Sequence, residues 1–140
     1  MRAQFLGIAA AALLVLVPTI ASAQSAPAAS IQNITFMRDD GTGQPGDVVT
    51  SFSPSDHILH VHAGLDQMVL NPNGHVTWTA VDTTAGSNIT IADAPLNGIA
   101  ANSFDSQLSL PQDFPVGTYR VDFYMDGQLL QSGNFQVANY

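Results

Sequence analysis

The sequence predicts an all-β fold: an antiparallel β-sandwich of seven to eight strands, preceded by a signal peptide. Short segments in which every second residue is apolar recur along the chain, as in strands with one buried face. Clusters of Gly, Pro, Asn and Asp separate these segments at regular spacing. Glu and Lys, which favour helices, are absent, so the composition also favours strands.

The clearest strand pair lies near the C-terminus, within residues 110–137. Residues 118–125 alternate strictly between apolar and polar side chains. The apolar face of this strand consists of Tyr119, Val121, Phe123 and Met125. Asp126-Gly127 follows directly and tolerates the positive φ of a two-residue hairpin turn. Phe135 and Val137 then resume the alternation, so the sequence predicts a final hairpin.

Earlier strands are predicted at residues 31–37, 48–52, 57–63 and 75–82. Two further strands are marked by apolar residues at alternate positions, namely Ile89 and Ile91, then Phe104, Leu108 and Leu110. Residues 64–74 lack this alternation and contain Asn71-Pro72-Asn73-Gly74. This composition predicts a long connection between the strands at residues 57–63 and 75–82.

The N-terminal residues have the pattern of a signal peptide. Arg2 supplies the positive charge, residues 6–20 the apolar run, and Ala21-Ser22-Ala23 the cleavage site, which we place after Ala23. A membrane anchor is the alternative, but Pro18 interrupts a run shorter than the roughly 20 residues that a bilayer requires. The predicted plan is a signal peptide at residues 1–23, a disordered leader at residues 24–30 and one sandwich domain at residues 31–140.

The composition also limits location and partners. The signal predicts a periplasmic or secreted protein with no membrane anchor after cleavage, and the absence of Cys removes a bacterial lipid anchor. The formal net charge is −8, so nucleic acid and anionic membranes are poor partners. Without Cys, the domain depends on packing rather than on disulfides. A protein partner is expected, but its identity does not follow from the sequence.

All histidines lie between His57 and His75, and they are the strongest indication of a binding site. His60 and His62 share one face of a predicted strand, where alternate residues are about 6.5 to 7 Å apart. Such a pair is suited to copper or zinc, and His57, His75 and Met68 are candidate additional ligands. The alternative interpretation is a solvated strand face on which imidazole is simply a polar side chain.

Other residues give little indication of catalysis. Asp39-Asp40-Gly41 and Asp47 occur in one loop, which we interpret as a turn rather than a calcium site because it lacks EF-hand spacing. There is no Cys nucleophile and no Gly-x-Ser-x-Gly motif, so the prediction is a protein that is not an enzyme. Arg120 and Asp122 share a polar strand face and are expected to pair with neighbours across the sheet.

Gly117-Thr118-Tyr119-Arg120-Val121 resembles the tyrosine corner of immunoglobulin-like domains. The C-terminal segment is also similar to the end of bacterial exported immunoglobulin-like domains, through Phe114-Pro115-Val116-Gly117, Asp126-Gly127 and Phe135-Gln136-Val137. The resemblance implies an immunoglobulin-like sandwich in which Val61 and Val121 stand where those domains place a disulfide. It also implies that Trp78 is the core tryptophan, with Tyr119 and Phe123 beside it.

Three functions are compatible with such a domain, because the fold itself specifies function poorly. The first is a non-catalytic module for protein–protein interaction, adhesion or assembly, acting through a strand edge or through loops such as residues 64–74. The second is a periplasmic copper or zinc protein that uses His60 and His62. The third, by analogy of fold alone, is a protease inhibitor that presents a loop.

Overall fold

The computed structural model describes residues 29–139, which form nine β-strands and no helix. The strands are β1 (Ile31–Asp39), β2 (Pro45–Val49), β3 (Ser51–Phe52), β4 (Ile58–Leu70), β5 (Asn73–Thr83), β6 (Gly86–Asn97), β7 (Ala100–Ser109), β8 (Gly117–Met125) and β9 (Gln128–Val137). No helix within the described range is long and apolar enough to cross a membrane. The all-β prediction is confirmed.

The signal peptide predicted at residues 1–23 and most of the predicted leader lie outside the described residues. The last two leader residues are described and are held by the domain. Ala29 is buried, and the Ser30 backbone N–H donates to Asp66 Oδ1 at 2.9 Å. The Asp66 backbone N–H in turn donates to the Ser30 carbonyl, so the contacts of the domain extend to residue 29.

The strands form two sheets. One has four strands in the order β2-β1-β4-β7, and the other has five in the order β3-β9-β8-β5-β6. All described pairings are antiparallel except that of the two-residue strand β3 with β9. The short segment predicted at residues 48–52 is divided between β2 and β3, one in each sheet. Apolar residues of both sheets face each other and form one core.

Aromatic rings dominate this core, and Phe135 on β9 lies at their centre. Its ring centroid is 4.9 Å from Phe36, 5.2 Å from Tyr119, 5.5 Å from Phe52 and 6.0 Å from Trp78. Phe36 belongs to the four-stranded sheet and Phe135 to the other, so these rings join the two layers. Aromatic pairs at such distances contribute about 0.5 to 1.5 kcal/mol beyond the burial of their surface.

Trp78 and the two valines occupy the core as the sequence predicts. Trp78 is 1% exposed, and Val61 and Val121 are fully buried. Trp78 pairs with Val121 on the adjacent strand, and its Nε1 donates to Ser106 Oγ at 3.3 Å on β7 of the other sheet. Phe123 is also buried, so the core positions expected from the resemblance are all filled by apolar side chains.

The segment before β8 forms the predicted tyrosine corner. The buried Tyr119 hydroxyl donates to the Pro115 carbonyl, and burial raises the pKa of Tyr119 to about 12. Gly117 has a φ of +150°, and a Cβ there would lie 2.2 Å from the Asp82 carbonyl oxygen. Only glycine fits this approach of two backbones. The Asp126-Gly127 turn is also confirmed, with φ values of 52° and 79°.

The prediction of a long connection at residues 64–74 is wrong. Strand β4 continues to Leu70, and only Asn71-Pro72 separates it from β5. The pairing of β4 with β7 shifts register between Gly64 and Val69, so the strand contains a large bulge. A bulge places extra residues in one strand and disrupts the period-two pattern, which explains why the sequence appears irregular there.

Candidate functional site

His60 and His62 lie on the outer face of β4, because Leu59, Val61 and Ala63 face the core. Despite this position His60 is only 4% exposed. Its Nε2 lies 2.8 Å from Asp39 Oδ1, at the point where the turn between β1 and β2 begins. The turn therefore packs against β4 through a buried histidine and a carboxylate.

The carboxylates of this turn are used to shape the backbone. Asp39 Oδ2 accepts hydrogen bonds from the backbone N–H groups of Gly41 and Gly43, at 2.8 and 3.2 Å. Asp40 Oδ1 accepts from the hydroxyl and the backbone N–H of Thr42. Hydrogen bonds lower the pKa of both carboxyls, mainly from His60 for Asp39 and from Thr42 for Asp40. These contacts agree with the interpretation of the segment as a turn.

The other histidines are distributed over the molecule. His62 Nδ1 lies 2.7 Å from Asp105 Oδ1 on β7, and His57 Nε2 lies 2.8 Å from Asp113 Oδ1. His75 belongs to the five-stranded sheet, where its ring stacks on Tyr124 at 4.5 Å. The structure therefore places His60 and His62 on the four-stranded sheet and His57 just before its strand β4, each with its own carboxylate, and His75 on the other sheet.

These positions do not assemble the predicted metal centre. Within residues 29–139 there is no group of three or more His, Cys, Asp or Glu side chains that could hold a metal ion. Met68 is 61% exposed and lies beyond the register shift of β4, on the far side of Gly64 from His62. The sequence could not reveal the histidine partners, because Asp39, Asp105 and Asp113 are distant in the chain and meet β4 only through the fold.

Arg120 and Asp122 on the five-stranded sheet pair with each other, and Asp122 also bonds across the sheet as predicted. Arg120 Nε donates to both carboxylate oxygens of Asp122, at 3.0 and 3.1 Å. The Ser132 hydroxyl, on the facing position of β9, also donates to Asp122. Asp122 is buried by these partners. The group therefore stabilises the sheet and does not offer a free carboxylate for binding.

A cluster of exposed apolar side chains lies at the end of the sandwich where β4 finishes and β7 begins. Met68, Leu70 and Ile99 are 61%, 70% and 85% exposed. The Asn71 backbone N–H donates to the Ile99 carbonyl at 2.8 Å, and Leu70 pairs with Ala100. We call Met68, Leu70 and Ile99 the apolar end. The sequence analysis named residues 64–74 as a possible interaction segment, but it treated them as a loop and so did not predict that Met68 and Leu70 lie on a strand.

A groove of about 470 Å³ adjoins the apolar end. Six consecutive residues of β7, Ala100 to Asp105, line one side of it, and Met68 and Leu96 are also part of its wall. Strand β7 pairs only with β4, so its other edge is open among the described residues. Met68 belongs both to the apolar end and to the wall of this groove, so the two surfaces meet at that residue.

Comparison with known proteins supports the architecture. An immunoglobulin-like protein from Pseudomonas aeruginosa aligns with 84% of this chain and 100% of its own, with a TM-score of 0.52 and 16% identity. The fold is immunoglobulin-like. No protein-family model matches the sequence, and no curated protein matches it either. At this level of identity the likeness establishes the fold of the immunoglobulin-like domain and nothing about its activity.

Two other solved structures share less of the architecture. An alkylpurine DNA glycosylase from Pseudomonas fluorescens aligns with 78% of this chain, 30% of its own, at 12% identity and a TM-score of 0.45. A beta-D-glucoside glucohydrolase from Trichoderma reesei aligns with 79% of this chain, 19% of its own, at 10% identity and a TM-score of 0.34. The immunoglobulin-like chain thus spans only a minor part of either enzyme.

Proposed function

We propose that this protein is an exported, non-catalytic immunoglobulin-like module that binds another protein, in adhesion or in the assembly of a larger complex. The observation that supports this most directly is the apolar end. Its three side chains are large and mostly exposed, and they belong to backbone segments that are joined by pairing and by a hydrogen bond. Single exposed apolar residues are ordinary, but contiguous apolar surface on a soluble domain is typical of an interaction site.

The side chains of the apolar end are not needed to hold the two sheets together. The aromatic cluster around Phe135 and the buried valines already join the two sheets, and neither Met68 nor Leu70 is among the residues of this core. Replacing an exposed apolar residue by a polar one usually changes the free energy of unfolding by no more than about 0.5 kcal/mol. Retaining three of them together is therefore better explained by binding than by stability.

Electrostatics favour a protein partner with complementary charge. Arg38 lies 3.3 Å from Asp56, and Arg120 is bonded to Asp122, so both described arginines have acidic partners. The remaining Asp residues give the surface its negative charge, with a formal net charge of −8 for the chain. Such a surface repels nucleic acid and attracts basic segments of proteins.

The test is co-purification from the native host with two variants of matched chemistry. Met68→Ser, Leu70→Ser and Ile99→Ser together remove the apolar end, and Val48→Ser removes an equally exposed side chain, at 68%, on β2. We expect proteins enriched by the wild type and by Val48→Ser to be lost with the triple variant. If the triple variant retains every partner, the apolar end is not the binding surface.

Export is tested separately by N-terminal sequencing of the protein recovered from the periplasm and the medium. A mature chain that begins at Gln24 would support the predicted signal peptide. Recovery of intact Met1 in the cytoplasm would contradict it.

A further inference from the structure

We propose that the open edge of β7 accepts an extended segment of the partner protein as an added antiparallel strand. The segment carries a Lys or Arg opposite Asp105, with apolar residues on either side of that position. This deepens the proposed function and rests on it, because it names the edge and the chemistry of the partner. It follows from a comparison of the sheet edges, from the direction of the β7 backbone groups and from the side chains beside them.

The other sheet edges are protected against strand addition. Strand β6 contains Pro95, and its register with β5 shifts at Trp78 and Thr79. Strand β2 has five residues and begins with Pro45, while β3 has only two residues. Proline, irregular register and short length are devices that prevent edge pairing in native proteins.

The outer side of β9 is partly occupied and irregular. Its Gln136 and Val137 pair with β3. Its pairing with β8 shifts register between Phe123 and Tyr124, where β9 contains an extra residue. Such a bulge is one of the devices that discourage edge pairing.

Strand β7 lacks the proline, the short length and the extra residue of the other edges, and β6 lies beside it at only a few residues. It has ten residues, with no Pro, no Lys and no Arg, and Asp105 is its single charged side chain. The register shift in its pairing arises from extra residues in β4, not in β7. A long and regular edge with a single charged side chain is a risk for aggregation, unless it serves to bind a strand.

The pairing with β4 determines which β7 backbone groups face the open edge. The Leu110 N–H donates to the His57 carbonyl at 2.9 Å, which makes residue 110 a hydrogen-bonded position. In an antiparallel pair such positions alternate, so Phe104, Ser106 and Leu108 also bond to β4. The N–H and C=O groups of Ser103, Asp105 and Gln107 therefore point outward and are available to an added strand.

The side chains beside this edge specify the partner. Phe104 is buried and, with Leu96 across the groove, offers apolar contact to inward-facing side chains of the added strand. Asp105 is exposed on the outer face, and a residue paired directly opposite would share that face. A basic residue there, flanked by apolar residues, complements both the carboxylate and the groove.

A second copy of the chain fits this edge less well. Two molecules that paired through β7 would each contribute Asp105 and the negative charge of the whole domain to the contact, without a Lys in either. Like charges brought together in this way oppose association. A basic segment of another protein is the occupant that the charges favour.

The test is a selection of random peptides of about ten residues, displayed on phage, against the purified protein. Gln107→Pro removes one outward N–H without breaking the pairing with β4, and Gln107→Ala is its control because it keeps that N–H. We expect selected peptides to alternate apolar and basic residues. They should bind Gln107→Ala within about twofold of the wild type and bind Gln107→Pro at least about tenfold more weakly.

A charge reversal gives a second measurement that leaves the backbone intact. Asp105→Lys should weaken the same peptides by about fivefold or more and should lessen their dependence on salt. Thermal unfolding of each variant establishes that it is folded. Sizing of the wild type addresses the alternative, since a dimer that Gln107→Pro dissociates would overturn the proposal in favour of self-pairing.

The remaining outcomes also decide between the two proposals. Some peptides could bind Gln107→Pro as tightly as the wild type but fail to bind the triple variant with Ser at Met68, Leu70 and Ile99. Such peptides would overturn strand addition and leave the proposed function standing. Acidic peptides, or no enriched peptides at all, would overturn strand addition at β7. Loss of host partners in the triple variant, measured independently, would still support the proposed function.

Discussion

The interior between the sheets and the outer face of the four-stranded sheet both use β4, but they are held together by different interactions. On the inner side Leu59, Val61 and Ala63 pack into an apolar core around the aromatic rings. On the outer side His60 and His62 each bond to an aspartate. The two histidines have the same chemistry and differ mainly in exposure, so we expect burial to decide what each contact contributes to stability.

The largest expected effect tests the interior. Phe135→Ala and Trp78→Ala should each lower the free energy of unfolding by about 3 to 5 kcal/mol, because each removes a ring from the cluster that joins the sheets. That is a large share of a total stability of about 5 to 15 kcal/mol. Denaturant unfolding measures it, with Leu129→Ala on the exposed part of β9 as the control. A loss below about 1 kcal/mol for either would place its ring outside the essential core.

The next effect compares the two histidines directly. His60→Ala should lower the free energy of unfolding by about 1 to 2 kcal/mol, because a buried side chain loses its packing and its hydrogen bond. His62→Ala should cost no more than about 0.5 kcal/mol, because its pair with Asp105 is exposed to solvent. Equal losses for the two variants would show that burial does not distinguish the pairs.

Alkaline pH tests the tyrosine corner. Burial raises the pKa of Tyr119 to about 12, above its ordinary value of 10.0. The unfolded chain therefore ionises first, and the stability that is complete below pH 10 decreases as the pH rises toward 12. Tyr119→Phe should remove this decrease while it costs about 0.5 to 1.5 kcal/mol at neutral pH, through loss of the bond to Pro115. Unfolding at pH 8 and at about pH 11 makes the comparison.

Acidic pH tests the turn that covers His60. The pKa of Asp39 lies below its ordinary value of 3.8, chiefly because of the hydrogen bond from His60. A carboxyl whose pKa is lowered by folding stabilises the domain above its unfolded pKa, and this contribution is lost as the pH falls through the folded pKa. We expect Asp39→Asn to lose less stability than the wild type between pH 5 and about pH 3. Identical acid titrations of the two would contradict the assigned role of this bond.

The smallest effect concerns metal. Since His60 and His62 bond to different aspartates, we expect the double variant His60→Ala with His62→Ala to change the affinity for copper or zinc by less than about twofold. Titration followed by calorimetry measures this, with the folded state of the variant checked by circular dichroism. A much weaker affinity in the variant would restore the metal-binding hypothesis.

Much of the fold could be predicted because it is determined by short segments of the sequence. The alternation at residues 118–125, the Asp126-Gly127 turn and the tyrosine corner depend on neighbouring residues, and the structure contains all three. The bulge between Gly64 and Val69 could not be predicted in the same way, because a period-two pattern does not survive extra residues in one strand. Because of this bulge, the sequence pattern did not show that Met68 and Leu70 lie on a strand.

The partners of the histidines and the open strand edge could not be predicted from the sequence, because they depend on the order of the strands. His60 and His62 could be placed on one strand face from spacing alone. Their partners Asp39 and Asp105 come from strands on opposite sides of β4, and only the sheet order shows this. The open edge of β7 likewise exists only because β7 is the last strand of its sheet. Properties that depend on which strands become neighbours require the topology.

The aromatic cluster around Phe135 joins the two sheets, which in many secreted domains are joined by a disulfide. This has a practical consequence. With no thiol in the chain, folding requires neither an oxidant nor a disulfide isomerase, and reducing agents should leave the native state intact. The domain should therefore fold equally well in a reducing and in an oxidising compartment.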